Sequence, residues 1–318
     1  LNYCPPDRSM LAGVRPLQPG HLLRVQADGT CSDTPYWSLQ EAATQQGAPP
    51  SYDAAQRTLR DKMEAAVQAR LVSDVPLGVF LSGGIDSSVV AALAARHKPG
   101  LQTFSLGFED PVYDETRYAQ AVAQHIGAEH TRFGITNDDL YGCLEGVLAT
   151  QDEPFADASA LNYYLLSQQV RQRVTVALSG DGADEVWGGY MKHAGLAQAA
   201  QGGLVNDLLR AGAPLLRALP ANRNSKLGRK LWQAQRLASI LRLGPQQRYW
   251  QLASPAEPGL LAHVLRPQAT EAALAEARAP WLAGIQQGDL NTMLAADIRL
   301  VLAGDMLVKA DSMSMAPG

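Results

Sequence analysis

The chain has 318 residues, 46% hydrophobic and 18% charged, enough for two domains with a sizeable apolar core and too apolar for a disordered polypeptide. A formal net charge of −4 excludes a broad electrostatic attraction to nucleic acid or anionic lipid. Three cysteines without a CxxC pair and six scattered histidines argue against a disulfide framework or structural zinc site. With no signal peptide and no apolar run longer than Val89 to Ala95, they point to a reducing, cytoplasmic setting and no membrane.

Taken in chain order, residues 1–38 place Pro5, Pro6, Pro16, Pro19 and Pro35 among short apolar pieces such as Leu22-Leu23-Arg24-Val25. This pattern predicts turns and one or two β-strands with no core of their own. A linker punctuated by Gly47-Ala48-Pro49-Pro50 leads to a helix over 52–71, with Leu59, Met63, Ala66 and Val67 near helical spacing.

An alternating stretch follows. Strands are expected over 77–81, 103–108, 129–135 and 174–178, and helices over 87–97, 115–126, 138–150 and 158–171. Asp114 is a candidate N-cap, Gly127 a candidate C-cap, and Thr136 opens the third helix. Apolar strands separated by helices indicate a parallel, doubly wound α/β sheet. From Gly188 onward an all-helical region is expected, broken by Pro214, Pro220, Pro245, Pro255, Pro267 and Pro280. Between Gln201 and Trp250 the only acid is Asp207, against nine basic residues from Arg210 to Arg248.

Two motifs carry chemistry. The first, Leu81-Ser82-Gly83-Gly84-Ile85-Asp86-Ser87-Ser88, runs from a buried strand through a Gly-Gly turn into a helix. Glycines let the backbone approach a phosphate, and the helix start offers unpaired N–H groups and a positive dipole end. The Ser82, Ser87 and Ser88 hydroxyls can add hydrogen bonds. Asp86 repels phosphate unless Mg²⁺ lies between them. The plainer alternative makes Asp86 or Ser87 an N-cap and the glycines a tight turn. No Gly-Lys-Ser/Thr occurs, so this is not a Walker loop.

The second motif, Leu178-Ser179-Gly180-Asp181-Gly182-Ala183-Asp184-Glu185 followed by Gly188-Gly189-Tyr190, also lies where a strand meets a helix. Glu185 stands where a dinucleotide fingerprint needs its third glycine. Three carboxylates beside a phosphate site make sense if one or two hold Mg²⁺ and another handles the nucleophile; alone, they read equally as a solvated acidic turn.

Ser82 to Ser88 resembles the pyrophosphate (PP) loop of the ATP-pyrophosphatase superfamily, and the second motif resembles the Ser-Gly-Glu/Asp-Gly-x-Asp-Glu segment of asparagine synthetases. Thr103 to Phe108, Asp152 to Asp157, Met306 to Asp311 and Met313 to Ala316 agree with that family in order and spacing. The start, through Gly13 to Gly20, is similar to the last strands of its N-terminal glutaminase domain. The resemblance implies a PP-loop domain over 39–318 behind a glutaminase remnant over 1–38. It implies pyrophosphate binding by Ser82, Gly83, Gly84, Asp86, Ser87 and Ser88, and ATP contacts from Leu81, Leu106, Ser179 and Gly180. Asp86 and Asp184 would hold Mg²⁺. Asp181 would be the acid tied to the acyl-adenylate, shorter than the Glu most family descriptions have there.

The activity so implied is ATP-dependent amidation of a carboxylate, aspartate first among candidates, with ammonia from glutamine. Action on another carboxylate, including lactam formation, and action on tRNA are the alternatives; the overall charge and the Leu-rich basic window count against nucleic acid, and a homodimer is compatible. Both ends of the chain are expected to be cuts, which would leave the glutaminase nucleophile and a synthetase lysine outside it and the fragment inactive. Lys309 is expected to serve as a local salt-bridge partner of Asp305 or Asp311 as readily as in any other role. Asp157 stands where the best-described relatives have an arginine near the acceptor.

Overall fold

The computed structural model describes residues 1–44, 49–111, 113–220, 225–254, 264, 271–286 and 288–317. Gly47, Ala48, Pro255 and Pro267, named above as punctuation, lie outside them. The chain divides into two compact units, a sheet unit of Pro6–Gly182 with Asp305–Gly318 and a helical unit of Leu1–Pro5 with Ala183–Gly304.

In the sheet unit, β1 (His21–Val25) and β2 (Cys31–Pro35) form an antiparallel hairpin with His21 opposite Pro35. Leu22, Leu23 and Val25 stay exposed, so the hairpin buries no core of its own. A short helix, α1 (Leu39–Thr44), occupies part of the expected linker. Helix α2 (Tyr52–Arg70) starts at Ser51, whose hydroxyl accepts from the Ala54 N–H.

Four parallel strands follow, β3 (Leu77–Phe80), β4 (Gln102–Phe108), β5 (Glu129–Ile135) and β6 (Val176–Leu178), in spatial order β5-β4-β3-β6. Side-chain alternation sorts the two faces. Val79 and Leu81 pack with α2, α3 (Ile85–His97) and α4 (Thr116–Ile126) through Val67, Ala91, Ala94, Ala119 and Ala123. On the other face Phe80, Phe104 and Phe133 pack with Leu166 and Val170 of α7 (Ser159–Val170). The sheet is thus doubly wound. Chain order runs outward from β3 to β5, then returns to β6 on the opposite side, so the switch point lies between β3 and β6. Such a point is where open α/β sheets bind ligands.

The Thr103 and Ser105 hydroxyls, buried within β4, are matched by one partner on β5, with His130 Nδ1 2.9 Å from Thr103 and Nε2 3.1 Å from Ser105. Gly127 closes α4 at φ +69°, as predicted. The N-cap of that helix is Glu115 rather than Asp114, whose carboxylate instead accepts from the Thr116 N–H. The single helix expected over 138–150 is two, α5 (Asn137–Gly142) and α6 (Leu144–Ala149), meeting at Cys143, where the sulfur donates to the Leu140 carbonyl. Thr136 opens the first through a capping box with Asp139.

The helical unit contains α8 (Ala183–Trp187), α9 (Met191–Gln201), α10 (Leu204–Ala218), α11 (Lys226–Ile240), α12 (Pro245–Ala253), α13 (Glu271–Leu282) and α14 (Leu290–Asp297). Leu196, Tyr249, Leu282, Ile285, Met293 and Ala296 form its centre. Two expected breaks fail, because Pro214 lies inside α10 and Pro280 inside α13. Pro214 cannot donate to the carbonyl of Arg210 one turn back. The Arg242 guanidinium, from the segment after α11, donates to that carbonyl at 3.4 Å. Pro245 sits at the start of α12, where its missing N–H is harmless.

After α14 the chain continues as a π-helix (Ile298–Met306) and then α15 (Leu307–Met315), passing from one unit to the other at Gly304–Asp305. In the sheet unit Met313 is fully buried among Ile135, Cys143, Val147, Ala160 and Leu165.

Candidate active site

The first motif leaves β3 through Leu81, whose side chain is buried and whose N–H donates to the Phe104 carbonyl at 2.8 Å. Leu106, on the neighbouring strand, packs against the cluster around Ile135. Gly83 turns at φ +83°; a Cβ there would lie 2.5 Å from the Ala119 nitrogen, so only glycine fits. Helix α3 then begins with Gly84 as its N-cap and no side-chain cap. This removes the plainer alternative for Asp86 and Ser87, since neither is the cap. The first N–H groups of this thirteen-residue helix have no side-chain cap, an arrangement suited to an anion.

The serines brace the loop. Ser87 is 7% exposed, and its oxygen lies 2.9 Å from that of Ser82 while accepting from the Ser82 N–H. Ser82 Oγ accepts from the Gly84 N–H at 3.2 Å, and Ser88 Oγ donates to the Gly84 carbonyl at 2.6 Å. Among the described residues the Asp86 side chain takes part in no hydrogen bond or ion pair, so its carboxylate is available to a ligand.

The second motif leaves β6, which pairs with β3 in the register Leu77–Val176, Gly78–Ala177 and Val79–Leu178. Ser179 and Gly180 therefore emerge beside the first motif. A Cβ on Gly180 would lie 2.8 Å from the Ser87 nitrogen and 3.1 Å from the Asp86 carbonyl carbon. Gly180 is thus packed onto the opening turn of α3, and the two motifs share the switch point. Asp181 is exposed, donates its N–H to Ser179 Oγ, and accepts from the Tyr163 hydroxyl at 3.4 Å. Burial, and then the Asp181 carboxylate, push the Tyr163 phenol well above its ordinary range, so it stays protonated and can donate. Its ring meets Phe80 edge-on at 5.6 Å. Nothing in the sequence around Tyr163 pointed to this role.

A second residue that sequence reasoning missed as a partner is Asp157. Lys309 Nζ lies 2.8 Å from Asp157 Oδ2 and 2.8 Å from Ser159 Oγ, so Lys309 finds its partner on another element rather than locally. Burial alone would raise the Asp157 pKa, but the Lys309 ammonium and the Ser159 hydroxyl and N–H outweigh it and hold the carboxyl below its usual value.

In the helical unit, α8 carries Asp184 and Glu185. The N–H groups of Gly188 and Gly189 both donate to the Asp184 carbonyl, and a Cβ on Gly189 would collide with Asp184 Oδ1. Glu185 is 1% exposed and accepts from the Tyr190 hydroxyl, which withdraws it from the three carboxylates available for chemistry. No three His, Cys, Asp or Glu side chains converge on a metal-sized point among the described residues.

Residues 58–318 match the family model described as asparagine synthase. A Mycobacterium tuberculosis protein that bears the name asparagine synthetase (glutamine-hydrolyzing) provisionally is 33% identical over 99% of this chain and 47% of its own length. Asparagine synthetase (glutamine-hydrolyzing) 1 of Bacillus subtilis is 29% identical over 99% of the chain and 48% of its own length. The chain spans about half the length of these curated relatives. An NH3-dependent NAD synthetase from Campylobacter jejuni shows a distant structural likeness, at TM-score 0.31 and 14% identity over 59% of this chain and 97% of that one.

Proposed function

The chain belongs to the asparagine synthase family, and from that premise we propose that it forms the ATP-using part of an enzyme that amidates a carboxylate, with the β-carboxylate of aspartate as acceptor. The observation that carries this reading is Gly180 packed on the uncapped start of α3. It supports a phosphate site made by both motifs at the switch point of the sheet.

A carboxylate resists ammonia because its oxygen is a poor leaving group. In the proposed reaction an acceptor oxygen bonds to the α-phosphorus of ATP, the bond to pyrophosphate breaks, and an acyl-adenylate forms. Ammonia, derived from glutamine in the intact enzyme, then attacks the acyl carbon, AMP departs, and a proton is lost from nitrogen. The start of α3, with Gly83, Gly84 and the hydroxyls of Ser82, Ser87 and Ser88, binds and orients the phosphates. Leu81, Leu106, Ser179 and Gly180 line the nucleoside side. Asp181, steadied by Tyr163, acts at the adenylate. Asp86 and Asp184 would hold Mg²⁺ in this reading, and the ion would supply positive charge to offset that on the departing pyrophosphate.

The test is ATP–pyrophosphate exchange by the full-length protein against a panel of carboxylic amino acids. Exchange that depends on aspartate, with asparagine formed once ammonia is added, is the expected result. Exchange driven by another acid alone would move the acceptor assignment, and its absence with every acid would remove the adenylate mechanism.

A further inference from the structure

Four polar side chains meet inside the helical unit, where the core is otherwise apolar. Asp297, the last residue of α14, is completely buried and accepts from Lys192 Nζ at 2.6 Å, from His193 Nε2 at 2.5 Å and from the Tyr249 hydroxyl. His193 and Tyr249 are themselves almost fully buried. Facing a carboxylate, His193 Nε2 is the donor, while Nδ1 finds no partner among the described residues. Burial works against the Asp297 anion, yet the donors from His193, Lys192 and Tyr249 outweigh it and hold its pKa below the usual value.

Such a cluster is a poor way to gain stability, because well-packed apolar residues of similar volume often do as well or better. Its connections suggest another reason for it. Lys192 and His193 form the first turn of α9, just after Gly188-Gly189-Tyr190 and helix α8. The Lys192 ammonium lies 5.0 Å from the centre of the Tyr190 ring and 5.5 Å from that of Tyr249. Tyr190 in turn donates to buried Glu185, next to Asp184. Burial, followed by Glu185, keeps the Tyr190 phenol protonated, and burial, followed by Asp297, does the same for Tyr249. The linkage runs from Asp297 through Lys192 and Tyr190 to Glu185, with both ends buried.

We propose that Asp297 is a positioning residue for α8. It anchors the first turn of α9, and through Tyr190 and Glu185 it holds Asp184 in one orientation. This inference rests on the reading of Asp184 as a residue of the ATP site and adds the device that orients it.

The test uses the full-length protein with Asp297→Asn, which keeps the shape and removes the charge. ATP–pyrophosphate exchange is expected to lose about tenfold or more in kcat, the scale seen when an outer support of a working carboxylate is removed, while KM for ATP stays within about twofold. Asp297→Glu should restore part of the rate. Hydrogen exchange at the Gly188 and Gly189 amides should quicken in Asp297→Asn while α12 stays protected, a readout that needs no activity. If Asp297→Asn does not fold, Tyr249→Phe and Tyr190→Phe each remove one link at constant shape and should reproduce the kcat effect in weaker form. Wild-type kinetics and unchanged glycine amides in a folded variant would overturn the proposal, as would a rate loss that merely tracks the folded fraction. If the unaltered protein shows no exchange with any acid, the functional reading has failed; unchanged glycine amides would then overturn the positioning role as well, and quickened ones would support it.

Discussion

The ammonium of Lys309 and the carboxylate of Asp157 are 2.8 Å apart, joining α15 to the segment just before α7. The lysine side chain is 7% exposed and that of the aspartate 20%, so neither charge is well served by water. Removing one partner from such a pair leaves the other uncompensated and costs about 3–5 kcal/mol. Lys309→Met is therefore expected to lower stability by roughly that amount, and the same change in an Asp157→Asn background by much less. Urea unfolding of the four proteins checks this; additive losses would mean the pair is not coupled.

The same pair sets a pH dependence. The folded-state pKa of Asp157 is lowered, so its contribution is complete above the unfolded value of about 4 and is lost as pH falls through the lower folded value. The stability gap between wild type and Asp157→Asn should narrow as pH falls below about 4, and a gap that widens on acidification would contradict the assignment.

Gly180→Ala tests the meeting of the two motifs. The added Cβ would press on the Ser87 nitrogen, a backbone atom that cannot swing away. ATP affinity should fall by about tenfold or more, equivalent to about 1.4 kcal/mol. Calorimetric titration with unchanged affinity would show that the opening turn of α3 is not where phosphate binds.

Asp86→Asn should leave stability nearly unaltered, because Gly84 and not Asp86 occupies the N-cap. Turnover of ATP by the full-length enzyme is expected to drop by about two orders of magnitude, as when a group that offsets transition-state charge is lost. Near-normal turnover would return Asp86 to an ordinary first-turn acid.

For Asp181→Ala the expectation is a split result, with ATP binding kept and adenylate formation blocked. Tyr163→Phe removes only one hydroxyl and should slow the adenylate step a few-fold, less than the roughly tenfold or more that a full-strength hydrogen bond to a charged group would give, because this one is 3.4 Å long. Equal loss of binding and rate in Asp181→Ala would make that residue structural.

What could be read from the sequence was local. The strand ends, expected at Leu81 and Leu178 and found at Phe80 and Leu178, the positive φ at Gly83 and the αL close at Gly127 follow from short-range sterics and hydrophobic period. What escaped depended on distant partners. Asp157 and Lys309, or Lys192 and Asp297, are separated by more than a hundred residues, and no local pattern announces either pair. Glu185 looked like a third working carboxylate until Tyr190 was seen to claim it. The break at Cys143 and the continuity of α10 through Pro214 were misjudged for one reason: side chains supplied or withdrew hydrogen bonds that local propensity cannot anticipate.

The guanidinium of Arg242 acts as a surrogate amide for a proline on a neighbouring helix, and this makes two positions interdependent. With Pro214 present, Arg242→Ala orphans a carbonyl; with Ala at 214 the helix provides its own donor and Arg242 becomes dispensable. Lysine would be an imperfect replacement, because a point charge on a mobile stem does not reproduce the planar fork that reaches the Arg210 oxygen. Part of the basic character of this window is thus committed to main-chain carbonyls, although Arg242 itself stays exposed. Arg248 behaves likewise, donating to the carbonyls of Ile240, Leu241 and Ala199. These arginines mend helix ends and a helix interruption, so a tally of positive charge along the window overstates what the surface presents to a polyanion.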